Sequence, residues 1–329
     1  MSTPQTPIHS GFSAASTADD VLAGVDLTGK TAIVTGGYSG IGTETSRALR
    51  AAGARVVVPA RDMAKARKAL DSIDVEIEPM DLADPASIDA FAATFVARGT
   101  PLHVLIDSAG VMACPLERDA RGYERQFATN HLGHFQLALR LWPALVAAGG
   151  ARVVSLSSRG HRYAAVDFDD PHFERRAYDP WIAYGQSKTA NSLFAVALDA
   201  RGKAAGVRAF AVHPGAIVTD LARHMSQDEL RERGAIDDQG RPVVDLARGM
   251  KSVAQGAATS VWCATSPQLA GKGGVYCEDV DVSPVVPPAD NEQALGFHVV
   301  GVRPWAVDAE AAERLWNLSE AQTGATLPA

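Results

Sequence analysis

Tyr184 and Lys188, in the stretch "WIAYGQSK", stand four positions apart where the chain reads as the start of a helix. That spacing is about one helical turn, so a phenol and an ammonium share one face. An unperturbed tyrosine hydroxyl titrates at about 10, too high for ready proton exchange at neutral pH. A lysine ammonium beside it favours the phenolate and is expected to bring that pKa down toward a working range. The pair is a candidate proton donor and acceptor, although a tyrosine and a lysine on a solvated helix show the same spacing.

A second group with chemical meaning is "TGGYSGIG", residues 35–42, between an apolar run and a helical pattern. Gly36, Gly40 and Gly42, with Ser39 and Ile41 among them, let the chain turn sharply and present a helix N-terminus to a pyrophosphate. A tight turn that binds nothing uses the same glycines, but the position after the first strand favours a dinucleotide. An acid that would grip the ribose 2′-hydroxyl is missing from the end of the second strand. "VVVPARD" has Ala60 near that place and Arg61 next. A basic residue without the acid suits a 2′-phosphate, so NADP is expected over NAD, with Asp62 opposing the field of Arg61.

These groups need elements to hold them. From Thr31, short β-branched runs ("TAIVT", "ARVVVPA", "VEIEPM", "LHVLIDSAG") alternate with helical stretches. After a long helical region over 121–148, the rhythm resumes with "ARVVSLSS", the helix near Trp181, "VRAFAVHPG", a helix over 252–264 and "GGVYC". This alternation predicts an α/β fold: one doubly wound Rossmann-type parallel sheet of about seven strands with helices on both faces. Residues 21–329 are expected to form a single domain, with residues 1–20 as a mobile tail or surface strap. Two stretches, 159–180 and 216–249, fit the rhythm poorly. Both follow strands on the edge where ligands bind in such sheets, so both are candidates to lip and cover a substrate.

Bulk properties exclude several classes. The 329 residues are 47% hydrophobic, enough for a packed core, and carry a formal charge of −7, which argues against a nucleic-acid or anionic-membrane binder. Three cysteines, Cys114, Cys263 and Cys277, show no metal-ligand spacing, so neither a disulfide framework nor a metal site is expected. No basic, apolar leader and no apolar run of membrane-spanning length is visible, and a reducing cytoplasm is the expected compartment.

With both motifs in place, the chain resembles the short-chain dehydrogenase/reductase family from about residue 21 to 323. Further matches in order are "MDLAD", "SAG", "TNHLGHF", "SLSS" and "HPG". The phrases "GVMACP", "NHLGHF" and "AERLWNLSEAQTG" look most like the branch of retinol dehydrogenases and WW-domain-containing oxidoreductases, and no WW domain is visible. The resemblance implies a catalytic set of Asn130, Ser158, Tyr184 and Lys188, with Ser157 the neighbouring alternative. It implies that Lys188 holds the nicotinamide ribose, that the positive nicotinamide ring of the oxidised cofactor joins Lys188 in lowering the Tyr184 pKa, and that Asn130 steadies a water. It also implies cofactor contacts at Asp81, Leu82, Ala109, Gly110, Pro214, Gly215, Ile217 and Thr219. One departure stands out: the family usually has two asparagines before "AG", where this chain has Asp107 and Ser108.

Substrate candidates between that site and the two irregular stretches are Met112, His161, Tyr163, Trp181, Val218, Leu221 and Met225, a set suited to a hydrophobic ketone, aldehyde or secondary alcohol. Any one of them equally fits core packing. Reduction of a conjugated C=C bond or an imine, or NADP binding without turnover in a sensor or scaffold, are the alternative functions. The helices over 137–148 and 192–200 offer an interface for a homo-oligomer, or a cover for the sheet of a monomer.

Overall fold

All five residues of β1 (Thr31–Thr35) are buried, as a strand covered on both faces requires. The computed structural model describes residues 3–288 and 299–328. Around β1 lie β2 (Arg55–Ala60), β3 (Glu76–Pro79), β4 (Val104–Asp107), β5 (Ala151–Leu156), β6 (Val207–Val212) and β7 (Val275–Glu278). They run parallel in the order β3-β2-β1-β4-β5-β6-β7, so the chain reverses its winding between β1 and β4. That reversal opens a crevice at the strands' carboxyl ends.

The sheet matches the predicted α/β doubly wound class and adds an eighth strand. β8 (Asp281–Val282) pairs antiparallel with β7. The turn between them places Asp279 and Val280 at φ of 52° and 62°, left-handed values unusual for a β-branched residue. No Asn-Gly or Asp-Gly pair marks it, which is why a period-based reading passes over this hairpin.

Alternate side chains feed two cores. Leu105 and Val153 meet α4 (Pro85–Ala97), α6 (Gly133–Arg140) and α8 (Pro180–Gly202), whereas Ile106 and Val154 meet α2 (Gly40–Ala51) and α10 (Val253–Thr265). Helix α3 (Met63–Ala69) is short and capped by Asp62, whose carboxylate accepts the Lys65 N–H. The region expected as one long helix over 121–148 is divided. α5 (Arg125–Phe127) starts on Glu124, a π-helical turn spans Ala128–Leu132, and Pro143 opens α7 (Trp142–Ala147) after α6. Such π turns recur at functional sites, and this one carries Asn130.

The amino-terminal residues run along the far side of the sheet. Gln5 donates to the carbonyls of Tyr276 and Ser283, and the Asp281 carboxylate accepts the N–H groups of Ile8, His9 and Ser10. This stretch ends in α1 (Ala18–Leu22), closed by a capping box of Thr17 and Asp20 and packed on α10. At the opposite edge, β3 carries Glu76 and Glu78, paired with Arg55 and Arg98.

The carboxyl-terminal helix α11 (Ala309–Thr323) lies on α8. Trp316 packs edge-on to Phe135 at 4.9 Å, stacks near Phe194 at 6.4 Å, and receives the Arg201 guanidinium at 4.2 Å from its ring centre. The part of the α8 surface considered for an oligomer is therefore covered within one chain by this helix. Trp316→Ala should lower the stability of the fold by about 3–5 kcal/mol, the usual loss for a buried tryptophan truncated to alanine, measured by urea unfolding. A change within 0.5 kcal/mol would show that α11 adds nothing to the core.

Candidate active site

The glycine turn meets its surroundings without spare room. Gly36 and Gly40 have φ of 64° and 53°, and a Cβ on Gly36 would stand 2.9 Å from Ala109 Cα. A Cβ on Gly42 would strike the Gly36 carbonyl at 2.2 Å, and one on Gly40 would reach Thr219 at 2.9 Å. Ser39 precedes α2 in the N-cap position without capping it, so the first N–H groups of a twelve-residue helix stay open. This is a cradle shaped for a pyrophosphate. Beside it, Arg61 and Lys65 stand on the rim, Lys65 paired with Asp220 at 2.7 Å. Lys65 is a second basic group that the reading of the β2 end did not include; it lies in the first turn of α3, four residues after Arg61.

A cavity of about 640 Å³ runs from this rim over the ends of β1, β4, β5 and β6. It brings together nearly all residues singled out from the sequence. Gly36, Ser39, Ile41, Gly42, Arg61, Asp81, Leu82, Ala109, Gly110, Pro214, Gly215, Ile217 and Thr219 line it, as do Ser158, Tyr184 and Lys188. So do Met112, Tyr163, Trp181, Val218, Leu221 and Met225. Gly40, Asn130 and His161 do not. Gly40 packs beneath Thr219. His161 is fully buried behind the wall, its Nδ1 donating to the Ser158 carbonyl at 2.7 Å and its Nε2 accepting from the Arg303 N–H. It is a packing residue, not a substrate contact.

Ser158 and Ser157 are told apart by direction. Ser157 is buried and donates to the Lys188 carbonyl at 2.7 Å, whereas Ser158 lines the cavity, its Oγ accepting the Gly160 N–H at 3.0 Å on the side where Tyr184 also lines it. Lys188 donates from Nζ to the Leu156 carbonyl at 2.8 Å, with the ammonium 5.8 Å from the Tyr184 ring centre. Burial opposes both charges: it pushes the Tyr184 phenol up to about 12, against the lowering effect of Ser158, and the Lys188 ammonium down to about 7. The sequence expectation of a depressed tyrosine is therefore not met by the chain alone. Desolvation is the first cause for both groups, and the Tyr163 hydroxyl adds to it at Tyr184.

Asn130 is engaged through its side chain. Its Oδ1 accepts the Val111 N–H at 2.8 Å, and its Nδ2 donates to the Val111 carbonyl and to Ser187 Oγ. Both Nδ2 protons and one acceptor site of Oδ1 are thereby used to fix the loop of Gly110 and Val111 beside Lys188. His134 closes the same network, bonding the Asn130 carbonyl and Thr35 Oγ1, each at 2.9 Å. Thr35 Oγ1 already accepts the N–H groups of Ser108 and Ala109. Its own proton goes to His134 Nε2, which leaves His134 Nδ1 as donor to Asn130.

The irregular stretches divide in the same way. Residues 216–249 roof the cavity, and Leu230, Arg233 and Ala235, none of them anticipated, join its lining. Arg233 covers the Trp181 ring at 4.6 Å. Of 159–180, Arg159, Gly160, Arg162, Tyr163 face the cavity on a 3-10 turn, while the rest turns away. Asp170 there accepts the N–H groups of Glu174, Arg175 and Arg176, and His172 stacks on Tyr123.

The parallel sheet, the switch-point crevice and the uncapped helix are those of a dinucleotide-binding fold. A model of the short chain dehydrogenase family matches residues 30–230. The chain is 46% identical over 301 residues, 89% of its own length and 97% of the relative's, to a probable oxidoreductase of Streptomyces antibioticus. It is 38% identical over 302 residues to human retinol dehydrogenase 12, covering 90% of this chain and 86% of that one. A crystal structure of an uncharacterized protein from Mycobacterium paratuberculosis superposes with a TM-score of 0.71 at 31% identity, covering 97% of this chain and 99% of that one. The chain belongs to the short-chain dehydrogenase/reductase family, whose members use a nicotinamide cofactor. Among the described residues no helix is long and apolar enough to cross a membrane, and no group of His, Cys, Asp and Glu is arranged to hold a metal.

Asp107, the departure from the family pattern, is fully buried, and neither carboxylate oxygen has a hydrogen-bond partner among the described residues. Burial raises its pKa well above 3.8, so the folded protein holds a proton there that the unfolded chain releases. The cost to folding is absent below pH 3.8 and grows as pH rises above it. Asp107→Asn removes that cost. The variant should gain stability relative to the parent between pH 4 and pH 7 in urea unfolding; a parent and variant that keep a constant difference over that range would refute a titrating Asp107.

Proposed function

We propose that the protein transfers hydride between NADP and a hydrophobic ketone, aldehyde or secondary alcohol, with Tyr184 as general acid and base. The observation that carries this reading is the convergence of Tyr184, Ser158 and Lys188 on one cavity, with Lys188 one helical turn from Tyr184. The nicotinamide ring, when bound, gives or receives the hydride. Tyr184 donates its proton to the carbonyl oxygen in reduction and takes it back in oxidation. Ser158 holds that oxygen by a hydrogen bond where negative charge gathers. Protonated Lys188 favours the phenolate, and a ligand that brings hydroxyl acceptors to its side of the cavity favours the ammonium that burial opposes.

NADP is favoured over NAD by the rim. Arg61 and Lys65 offer two cations where β2 ends without an acid, and the Asp62 carboxylate is turned to the Lys65 N–H as a helix cap. A phosphate between them forms charge-assisted hydrogen bonds worth about 1.5–3 kcal/mol each. The substrate body rests on Met112, Trp181, Val218, Leu221 and Met225, an apolar wall that suits a lipophilic molecule.

Two measurements test this. Tyr184→Phe should bind NADPH as tightly as the parent, by fluorescence titration, while turnover of a ketone identified by panel screening falls at least a hundredfold; comparable rates would end the acid/base role. For Arg61→Ala, the preference for NADPH over NADH in kcat/KM should fall by about tenfold or more, as loss of one such hydrogen bond implies. An unchanged ratio would remove Arg61 from cofactor selection.

A further inference from the structure

Beyond Ser158, the inner wall of the cavity carries a concentration of cationic side chains that no hydrophobic substrate explains. Arg159 and Arg162 both line it. Arg159 donates from Nη2 to Glu278 at 3.3 Å, but its Nε and Nη1 are buried without a partner among the described residues. Arg162, only 3% exposed, spends Nη2 on the carbonyls of Val299 and Gly301, and its Nε and Nη1 are likewise unpartnered. No carboxylate of the described residues forms an ion pair with it. Glu278 is buried and shared, one oxygen accepting from Ser283 Oγ and the Gly301 N–H, the other from Arg159. The Tyr276 hydroxyl and His213 Nε2 are also buried without partners, and Tyr276 lies within the electrostatic reach of both arginines.

Buried donors left unmade cost about 1–3 kcal/mol each, and charged ones more. Such a cluster is completed by a ligand of opposite charge. The cofactor phosphates lie short of it in the proposed binding mode: Arg61 follows β2, three strands or roughly 14 Å from Arg159 after β5, and the glycine cradle after β1 is two strands or roughly 9 Å away. The carboxylates that line the cavity, Asp62 and Asp81, follow β2 and β3 and stand at that same far end. The turn that carries both arginines lies beside Tyr184 instead, since a Cβ on Gly160, between them in sequence, would touch the Tyr184 ring at 2.7 Å.

We propose that Arg159 and Arg162 form an anion seat and that the substrate is a hydrophobic keto acid or hydroxy acid whose carboxylate docks there. With Nη2 of each arginine already engaged, a docked carboxylate is held by the two positive charges and the remaining N–H groups, one oxygen to each guanidinium, and the shared turn beside Tyr184 puts the acid on the same side of the substrate as the carbonyl. This deepens the oxidoreductase reading by naming the substrate class, but the seat is measurable without turnover. A free inorganic anion such as chloride shares the chemistry and would compete for the same place.

The test is calorimetric titration of the full chain, saturated with NADPH, with biphenyl-4-carboxylate and with its methyl ester, each at low and high sodium chloride. The acid should bind at least tenfold more tightly than the ester and weaken severalfold in high chloride. Arg159→Gln and Arg162→Gln should each lower affinity for the acid at least tenfold and leave the ester within twofold. Should Arg162→Gln not fold by circular dichroism, Arg162→Lys, which keeps the charge and loses the fork, should show a smaller loss confined to the acid. Equal affinities for acid and ester, binding of neither, a response to chloride without acid preference, or an acid preference intact in the arginine variants would each overturn the assignment. Failure of every carbonyl in a turnover screen would count against the oxidoreductase chemistry and leave this result standing.

Discussion

The site depends on how closely α8 is held to the end of β5. Four side chains make that seam: Ser157 reaches the Lys188 carbonyl, Ser192 reaches Ser157, and both Asn191 and Lys188 reach the Leu156 carbonyl. Gly185 is part of the same constraint, because a Cβ there would stand 2.7 Å from the Gly160 carbonyl. The helix thus lies flush on the turn that carries Ser158, and a phenol in its first turns has one direction open to it. Without this seam, the four-residue spacing of Tyr184 and Lys188 would be a property of any helix. With it, the spacing becomes a position relative to the glycine cradle on the far side of β1 and β4.

Electrostatics in this crevice follows from burial more than from pairwise attraction. Tyr184 and Lys188 are both held toward their neutral forms, His131 and His134 are driven down to about 3 and about 4, and Asp107 is driven up. Desolvation is the first cause in every case. A chain of net charge −7 nevertheless gathers arginines along this one cavity. The protein is acidic as a whole and basic where anionic ligands would enter, which is the pattern expected of a steering field confined to a cleft.

Much of this was legible in the sequence, for identifiable reasons. The strands β1 to β7 announce themselves by β-branched runs buried on both faces, and the glycine turn by its place after β1. The choice of Ser158 over Ser157 and the cavity positions of Trp181, Val218 and Met225 follow from motif order. What escaped was set by contacts distant in sequence. His161 sits two residues before Tyr163 in one turn, yet one side chain packs behind the wall on Arg303 and the other faces the cavity. Arg159 and Arg162 were in plain view beside Ser158, but two arginines in a loop carry no signal until the lack of partners is known. α11 gave no boundary cue beyond Asp308 and Gly324, its cap and its left-handed end. The upward push of burial on the Tyr184 phenol was not legible, because spacing reports proximity and says nothing of solvent.

The amino-terminal strap has a bearing on the behaviour of the protein in crowded solution. A sheet offers its unpaired rim to any passing chain, and that rim is where strands of separate molecules stick together. Here one rim is a two-residue strand shielded by the stretch pinned to Asp281, and the other is the four-residue β3, guarded by charged pairs of Glu76 and Glu78 with Arg55 and Arg98. A short run of leading residues thereby acts as a selvedge, keeping a largely hydrophobic weave from fraying into its neighbours.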